Sequence, residues 1–146
     1  MIDYDVIIPC YKGKKFIYSC INDHLNQSLR PKNIIFINDG DNDVDENYVK
    51  SFFKNTNTNC VYIKNIKNIG AIDSINLGVS KIQSKYFKIS AIDDKFDSSL
   101  AFETLSFLCK FPDCGLAISY PGYYIHNTAK KINISYNFNK DNFIYY

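Results

Sequence analysis

The feature that most constrains this chain is a rhythm. Short apolar, often β-branched runs recur, each followed by a polar loop and then by a stretch with helical spacing. The runs are Val6-Ile7-Ile8, Ile34-Ile35-Phe36-Ile37, Cys60-Val61-Tyr62-Ile63, Tyr86-Phe87-Lys88-Ile89-Ser90 and Gly115-Leu116-Ala117-Ile118-Ser119-Tyr120. Their length and near-continuous apolar character read as buried strands. Pro9 has no N–H to give a ladder and is expected to end the first one. Between the runs, Phe16, Ile17, Cys20, Ile21 and Leu25 share one helical face over Lys15–Gln27. Acidic residues from Asp41 to Glu46 precede a short helix over Asp45–Phe53, where carboxylates suit a helix N-terminus. Ile72, Ile75, Val79 and Ile82 are spaced as the inward stripe of a further helix. Gly78 within it costs about 1 kcal/mol relative to Ala, so close packing is expected there. Ser98-Ser99 is read as the cap of a last helix reaching Lys110, with Leu100, Leu105 and Leu108 inward. Strand–helix alternation predicts an α/β, Rossmann-like architecture: a mostly parallel sheet with helices on both faces.

Composition narrows the class. The 146 residues suit one domain, 1–146, with a tail over 123–146 that carries only weak strand signals, at Tyr123–Ile125 and Ile132–Tyr136. A net charge of +2 is too small to predict nucleic-acid binding. No apolar run is long enough to span a membrane, and no secretion signal is visible in Met1-Ile2-Asp3-Tyr4-Asp5, so none is expected. The five cysteines show no two-residue pairing and are read as reduced thiols of a cytoplasmic protein.

In parallel sheets, ligands bind beyond the carboxyl ends of strands, where strand order reverses. Three loops occupy such ends: Pro9–Lys12, Asn38–Asp41 and the one holding Asp93-Asp94. Adjacent aspartates at a strand end suit a hard cation, Mg²⁺ or Mn²⁺, that shares its shell with substrate phosphates. Tyr11 offers a flat face to a base, and Asp39 an acceptor for an imide N–H such as uracil presents. Each feature also has a plain structural reading. An Asp-Asp pair can simply open a helix, Tyr11 is one of 12 tyrosines, and Asp39-Gly40 is a common turn. His24 is expected at the core edge, and neither His24 nor His126 has a partner that suggests nucleophilic catalysis. What favours function is the order in which these signals fall, each at a strand end.

That order resembles the first half of a family 2 glycosyltransferase with the GT-A fold. The resemblance rests on Val6-Ile7-Ile8-Pro9-Cys10-Tyr11, on Leu25-Asn26-Gln27-Ser28 followed by Ile34–Gly40, and on Asn68-x-Gly70 with Asn76-x-Gly78. It continues through Ser90-Ala91-Ile92-Asp93-Asp94, similar to a DXD motif ending in two aspartates, and Pro112-Asp113-Cys114-Gly115-Leu116. It covers residues 4–122. It implies that Pro9 and Tyr11 line a base pocket, that Asp39 holds the base, and that Asp93 lies near the ribose. Asp94 would bind the Mn²⁺ or Mg²⁺ that bridges the diphosphate. The implied activity is inverting transfer of a sugar from a nucleotide sugar, a UDP-sugar foremost, to a glycan or other acceptor.

Asn38, Asp41, Ile75 and Ile92 depart from that pattern. The family's acceptor segment and general base have no counterpart after Tyr120, so no base is assigned. A partner chain or second copy is the expected source of the acceptor half. The rival reading is a non-catalytic nucleotide-sugar binding module or truncated pseudoenzyme. A receiver-like signalling domain would need an Asp after the third strand, where Asn and Lys stand instead.

Overall fold

The computed structural model describes residues 2–111, 113, 115–116, 123–124 and 131–132. Strands β1 (Tyr4–Cys10), β2 (Asn33–Asn38), β3 (Asn59–Lys64) and β4 (Tyr86–Ile89) form one sheet in the order β3-β2-β1-β4. Every pairing in it is parallel. The helices are α1 (Ile17–Leu25, entered through a 3-10 turn at Lys14–Phe16), α2 (Glu46–Ser51), α3 (Ala71–Val79) and α4 (Leu100–Lys110). The pairs Tyr123–Tyr124 (β5) and Lys131–Ile132 (β6) make a separate antiparallel ribbon. Among the described residues no helix is long and apolar enough to cross a membrane.

The sheet is covered on both faces, as the alternation requires. On one face Val6, Ile8, Ile34 and Phe36 pack against Ile17, Cys20 and Ile21 of α1, Val49 of α2, and Ala101 and Leu105 of α4. Each fully buried aliphatic or aromatic side chain there contributes about 1.5–3 kcal/mol. On the other face Ile7, Ile35 and Ile37 meet α3.

Three local expectations are corrected. Pro9 does not end β1; it pairs in register with Ile37, and the strand runs on to Cys10. The physical reason lies in the edge that Pro9 turns outward. Ile7 accepts the N–H of Ser90 on the β4 side, and Cys10 accepts the N–H of Asp39 on the β2 side. By strand alternation the imino position of Pro9 faces the β4 side, where β4 has already ended. No donor is needed there.

The face of α3 is the second correction. Ile72 is 75% and Val79 41% exposed, and the buried residues are Ser74 and Gly78. The helix rests on its small residues because it lies hard on the sheet. A Cβ on Gly78 would come within 2.5 Å of Ile7 Cγ2 and 3.1 Å of Ile37 Cδ1, which bears out the close approach. Third, Ser99 takes the N-cap position of α4 without a side-chain cap bond. By contrast Asp45 caps α2 as its type predicts, accepting the Tyr48 N–H at 3.0 Å. Of the expected fifth strand, Gly115 and Leu116 lie outside any strand, and residues 117–120 fall outside the described residues.

Candidate functional site at the carboxyl edge of the sheet

The order β3-β2-β1-β4 reverses at β1, since the chain builds outward to β3 and then crosses to the far side of β1. The crevice expected of such a reversal therefore opens above β1, between the ends of β2 and β4. All the residues singled out from sequence stand at this edge. Pro9 lies in the last pleat of β1 and Tyr11 directly follows that strand, Asp39 follows β2, and Asp93-Asp94 follow β4.

The loops are joined to one another. The Lys12 N–H donates to Asp41 Oδ2 at 3.1 Å, tying the loop after β1 to the one after β2. Lys12 takes φ +53°, and its ammonium lies 5.2 Å from the Tyr11 ring centroid. Tyr11 is 46% exposed, so a face is open to a ligand. Gly13 touches the loop after β4. A Cβ there would stand 2.9 Å from Ile92 Cγ2, so Tyr11 and Asp93-Asp94 sit on adjoining loops.

Asp39 is placed differently from an open acceptor. It is 3% exposed. Its Oδ1 accepts from Asn65 Nδ2 at 2.8 Å and the Ile69 N–H at 2.9 Å, and its Oδ2 from the Gly70 N–H at 3.0 Å. Burial alone would raise its pKa. The Ile69 N–H, the Asn65 amide, the Gly70 N–H and the nearby Ser74 hydroxyl outweigh that and hold it below the ordinary aspartate value. Asp39 thus binds the 65–70 loop and the start of α3, where a carboxylate also suits the helix dipole. Gly40 makes this possible. It takes φ +82°, and a Cβ would fall 2.4 Å from the Lys67 carbonyl carbon and 2.5 Å from the Asn68 nitrogen.

Asn38 stands where the resembled motif carries an acid. It is fully buried. Its Nδ2 donates to Asp41 O, Val44 O and Tyr62 Oη, and its Oδ1 accepts the Asp41 N–H. An amide supplies both donors and an acceptor, which a carboxylate cannot, so the substitution fits its place.

Asp93 and Asp94 are exposed. Among the described residues no hydrogen bond reaches either carboxylate, and no three His, Cys, Asp or Glu side chains gather as a metal cage. One or two free carboxylates at an open edge fit a hard cation that takes its remaining ligands from water and a diphosphate. They do not fit a cation caged by protein alone.

Sequence reasoning missed several contributors. Asn65 and the Ile69 and Gly70 N–H groups carry no catalytic signal of their own, although Gly70 belongs to a recognised Asn-x-Gly. Asp41 looked like a departure and proves to be the link to Lys12. His24 is not at the core edge but 1% exposed, bonded to Ser90 Oγ at 2.9 Å.

Comparison with known proteins agrees with this architecture. The description "Glycosyl transferase family 2" matches residues 5–145. The chain is 30% identical over 126 residues to the minor teichoic acid biosynthesis protein GgaA of Bacillus subtilis (strain 168), covering 83% of this chain and 28% of that protein. It is 32% identical over 89 residues to an uncharacterized glycosyltransferase of Haemophilus influenzae, 61% of this chain and 27% of that one. Among solved structures it is similar to S. aureus TarS 1-349, with a TM-score of 0.66 at 18% identity over 75% of this chain and 33% of that chain. A structure of the same TarS fragment in complex with UDP gives a TM-score of 0.65 at 17% identity, over 75% of this chain and 32% of that chain. These likenesses show the GT-A fold. The chain spans about a third or less of the length of these proteins. With its parallel sheet, its reversal at β1 and a family match over nearly its whole length, the chain belongs to glycosyl transferase family 2.

Proposed function

We propose that the chain is the donor-binding part of a glycosyltransferase, taking a UDP-sugar with Mn²⁺ or Mg²⁺ and passing the sugar to a glycan or other acceptor with inversion. The observation that carries this is the meeting, at one edge, of an open tyrosine ring, a fixed buried carboxylate and two exposed aspartates whose carboxylates take no hydrogen bond among the described residues. Pro9 and Tyr11 line the base pocket, and the base stacks on the Tyr11 ring. A carboxylate has about four acceptor positions. Three on Asp39 are taken by N–H groups. The last is contested by the Ser74 hydroxyl and a base N–H. Asp93 lies toward the ribose, and Asp94 holds the cation. When bound, the cation neutralises charge on the departing diphosphate. In the transfer, an acceptor oxygen bonds to the anomeric carbon from the face opposite the diphosphate, whose C–O bond breaks. The acceptor and the base that takes its proton come from outside the described residues, from the rest of the chain or from a partner chain.

The relatives support this reading by family and by fold, and TarS has been solved with UDP and with UDP-GlcNAc. The test is calorimetry of the chain with UDP, GDP and dTDP, with and without Mn²⁺. Metal-dependent UDP binding that disappears in Asp94→Ala is the expected result. Absence of binding by every nucleoside diphosphate would overturn the proposal. Release of UDP from UDP-sugars by the isolated chain would eliminate a purely binding module.

A further inference from the structure

The acidic loop is held from behind by several side chains of α1: Cys20 Sγ lies 3.9 Å from the Ala91 carbonyl oxygen, Asp23 Oδ2 lies 3.5 Å from Lys95 Nζ, and His24 touches both ends of the loop. Ser90 is the last residue held by the sheet, through its N–H on the Ile7 carbonyl at 2.9 Å. Beyond it Ala91–Asp94 turns, with the Asp94 N–H on the Ala91 carbonyl at 3.3 Å. The chain then returns to the protein at Phe96. Buried His24, on α1, reaches both feet of this loop. Its Nε2 shares a 2.9 Å hydrogen bond with Ser90 Oγ, and its ring lies against Phe96, centroids 4.9 Å apart at 34°. Lys88 of β4 places its ammonium 3.2 Å from the centroid of the same Phe96 ring. Just past the end of α1, Gln27 donates to the Asp97 carbonyl at 2.8 Å and accepts the Ala101 N–H at 3.0 Å.

A buried imidazole is an odd choice for a mere core filler. Left unpaired it costs about 1–3 kcal/mol, a penalty leucine would not carry. Here burial, with the nearby Lys88 charge, pushes its pKa down to about 3, so the ring stays neutral near pH 7 and its bond to Ser90 does not depend on a charge. The polar atom is used at the point where the loop leaves the sheet, and the ring where it comes back.

We infer that His24 is a positioning residue: with Phe96 as its counterpart, it sets the place of Asp93-Asp94 and hence the grip on the metal-bound diphosphate. This rests on the donor-binding reading proposed above. The experiment has two arms, so the two can fail separately. In the first, amide exchange of the unliganded full chain is compared for wild type, His24→Leu, His24→Phe and His24→Gln. Exchange at residues 91–97 is expected to rise about five- to tenfold in His24→Leu and His24→Phe, the worth of one net hydrogen bond. Amides of β1 and β2 serve as reference and stay unchanged. His24→Gln, whose amide nitrogen can still meet Ser90, recovers part of the protection.

In the second arm, UDP is titrated with and without Mn²⁺. Affinity with Mn²⁺ weakens about fivefold or more in His24→Phe, and affinity without metal does not move. A purely structural histidine would lower the binding stoichiometry through loss of folded protein and leave the dissociation constant alone. Unchanged exchange at 91–97 in both His24→Phe and His24→Leu overturns the inference. So does an unchanged metal-dependent affinity in His24→Phe. If wild type binds no UDP, the donor-binding reading falls and with it the diphosphate part of the inference, while the exchange arm still decides the anchor.

Discussion

The two ends of the sheet treat their buried aspartates differently. At the amino end Asp5 is fully buried and accepts four hydrogen bonds, from Asn33 Nδ2, the Gln83 and Ser84 N–H groups and Ser84 Oγ, at 2.7–3.1 Å. Its acceptor capacity is full, and it fastens the turn between α3 and β4 to the bottom of β1. At the carboxyl end Asp39 accepts three N–H groups, and Asp93 and Asp94 lie exposed beyond it. Carboxylates at one end are spent entirely on the fold. At the other, Asp39 is held by its three N–H groups and the nearby Ser74 hydroxyl, and only Asp93 and Asp94 take no hydrogen bond among the described residues. Exposed carboxylates without hydrogen bonds are what separate the candidate site from the structural anchor, since both ends carry a buried aspartate held by amide groups.

The contrast can be broken most forcefully at the saturated end. Asp5→Ala strands four donors, and hydrogen bonds to a charged group are worth about 1.5–3 kcal/mol each, so a loss of more than about 3 kcal/mol is expected in urea unfolding. The nucleotide affinity of the remaining folded protein should not change. Next is Gly40→Ala, which adds backbone overlap to a left-handed φ and should cost about 2–3 kcal/mol. Gly70→Ala shares the positive φ, at +92°, but meets nothing within 4 Å, so about 1–2 kcal/mol is expected. Differential scanning of the two glycine variants side by side separates overlap from conformational strain.

Acid sharpens the comparison further. Burial would raise the pKa of Asp5, but the Gln83 N–H, the Ser84 hydroxyl, the Asn33 amide and the Ser84 N–H together hold it low; Asp39 is held low in the same way. Between the folded values and the ordinary aspartate pKa of about 4, the unfolded chain binds more protons. Stability from both groups is therefore complete above about pH 4 and is lost as pH falls through the folded values. Replacement of Asp39 by Asn should flatten the pH dependence of the urea midpoint below about pH 4, leaving the Asp5 share. The smallest stability effect belongs to Asp94→Ala, within about 0.5 kcal/mol, because the side chain is exposed. A destabilisation beyond about 1 kcal/mol would show that Asp94 serves the fold and not a ligand.

Much of this was legible before the structure. Strand runs gave the sheet, because β-branched apolar residues buried on both faces leave little alternative, and strand ends gave the edge on which Tyr11, Asp39 and Asp93-Asp94 stand. What escaped reading depended on contacts between distant segments. The spacing of Ile72, Ile75, Val79 and Ile82 named the bulky stripe; Ile82 does pack against the sheet, yet along α3 itself packing chose Ser74 and Gly78 because distance to the sheet is set by backbone approach. Asp39 looked free because its partners Asn65, Ile69 and Gly70 are some 30 residues away and two of them donate through the backbone, which no side-chain pattern records. His24 looked peripheral because Ser90 and Phe96 lie about 70 residues later.

The proline in β1 bears on how the crevice survives. A strand that outlasts its neighbour normally exposes a hungry edge, ready to recruit any passing chain and zip the gap shut. Pro9 presents carbon where a donor would stand, so this wall of the notch has no N–H with which to capture a backbone at that point. The opening is kept as an opening by what the backbone lacks at that one position.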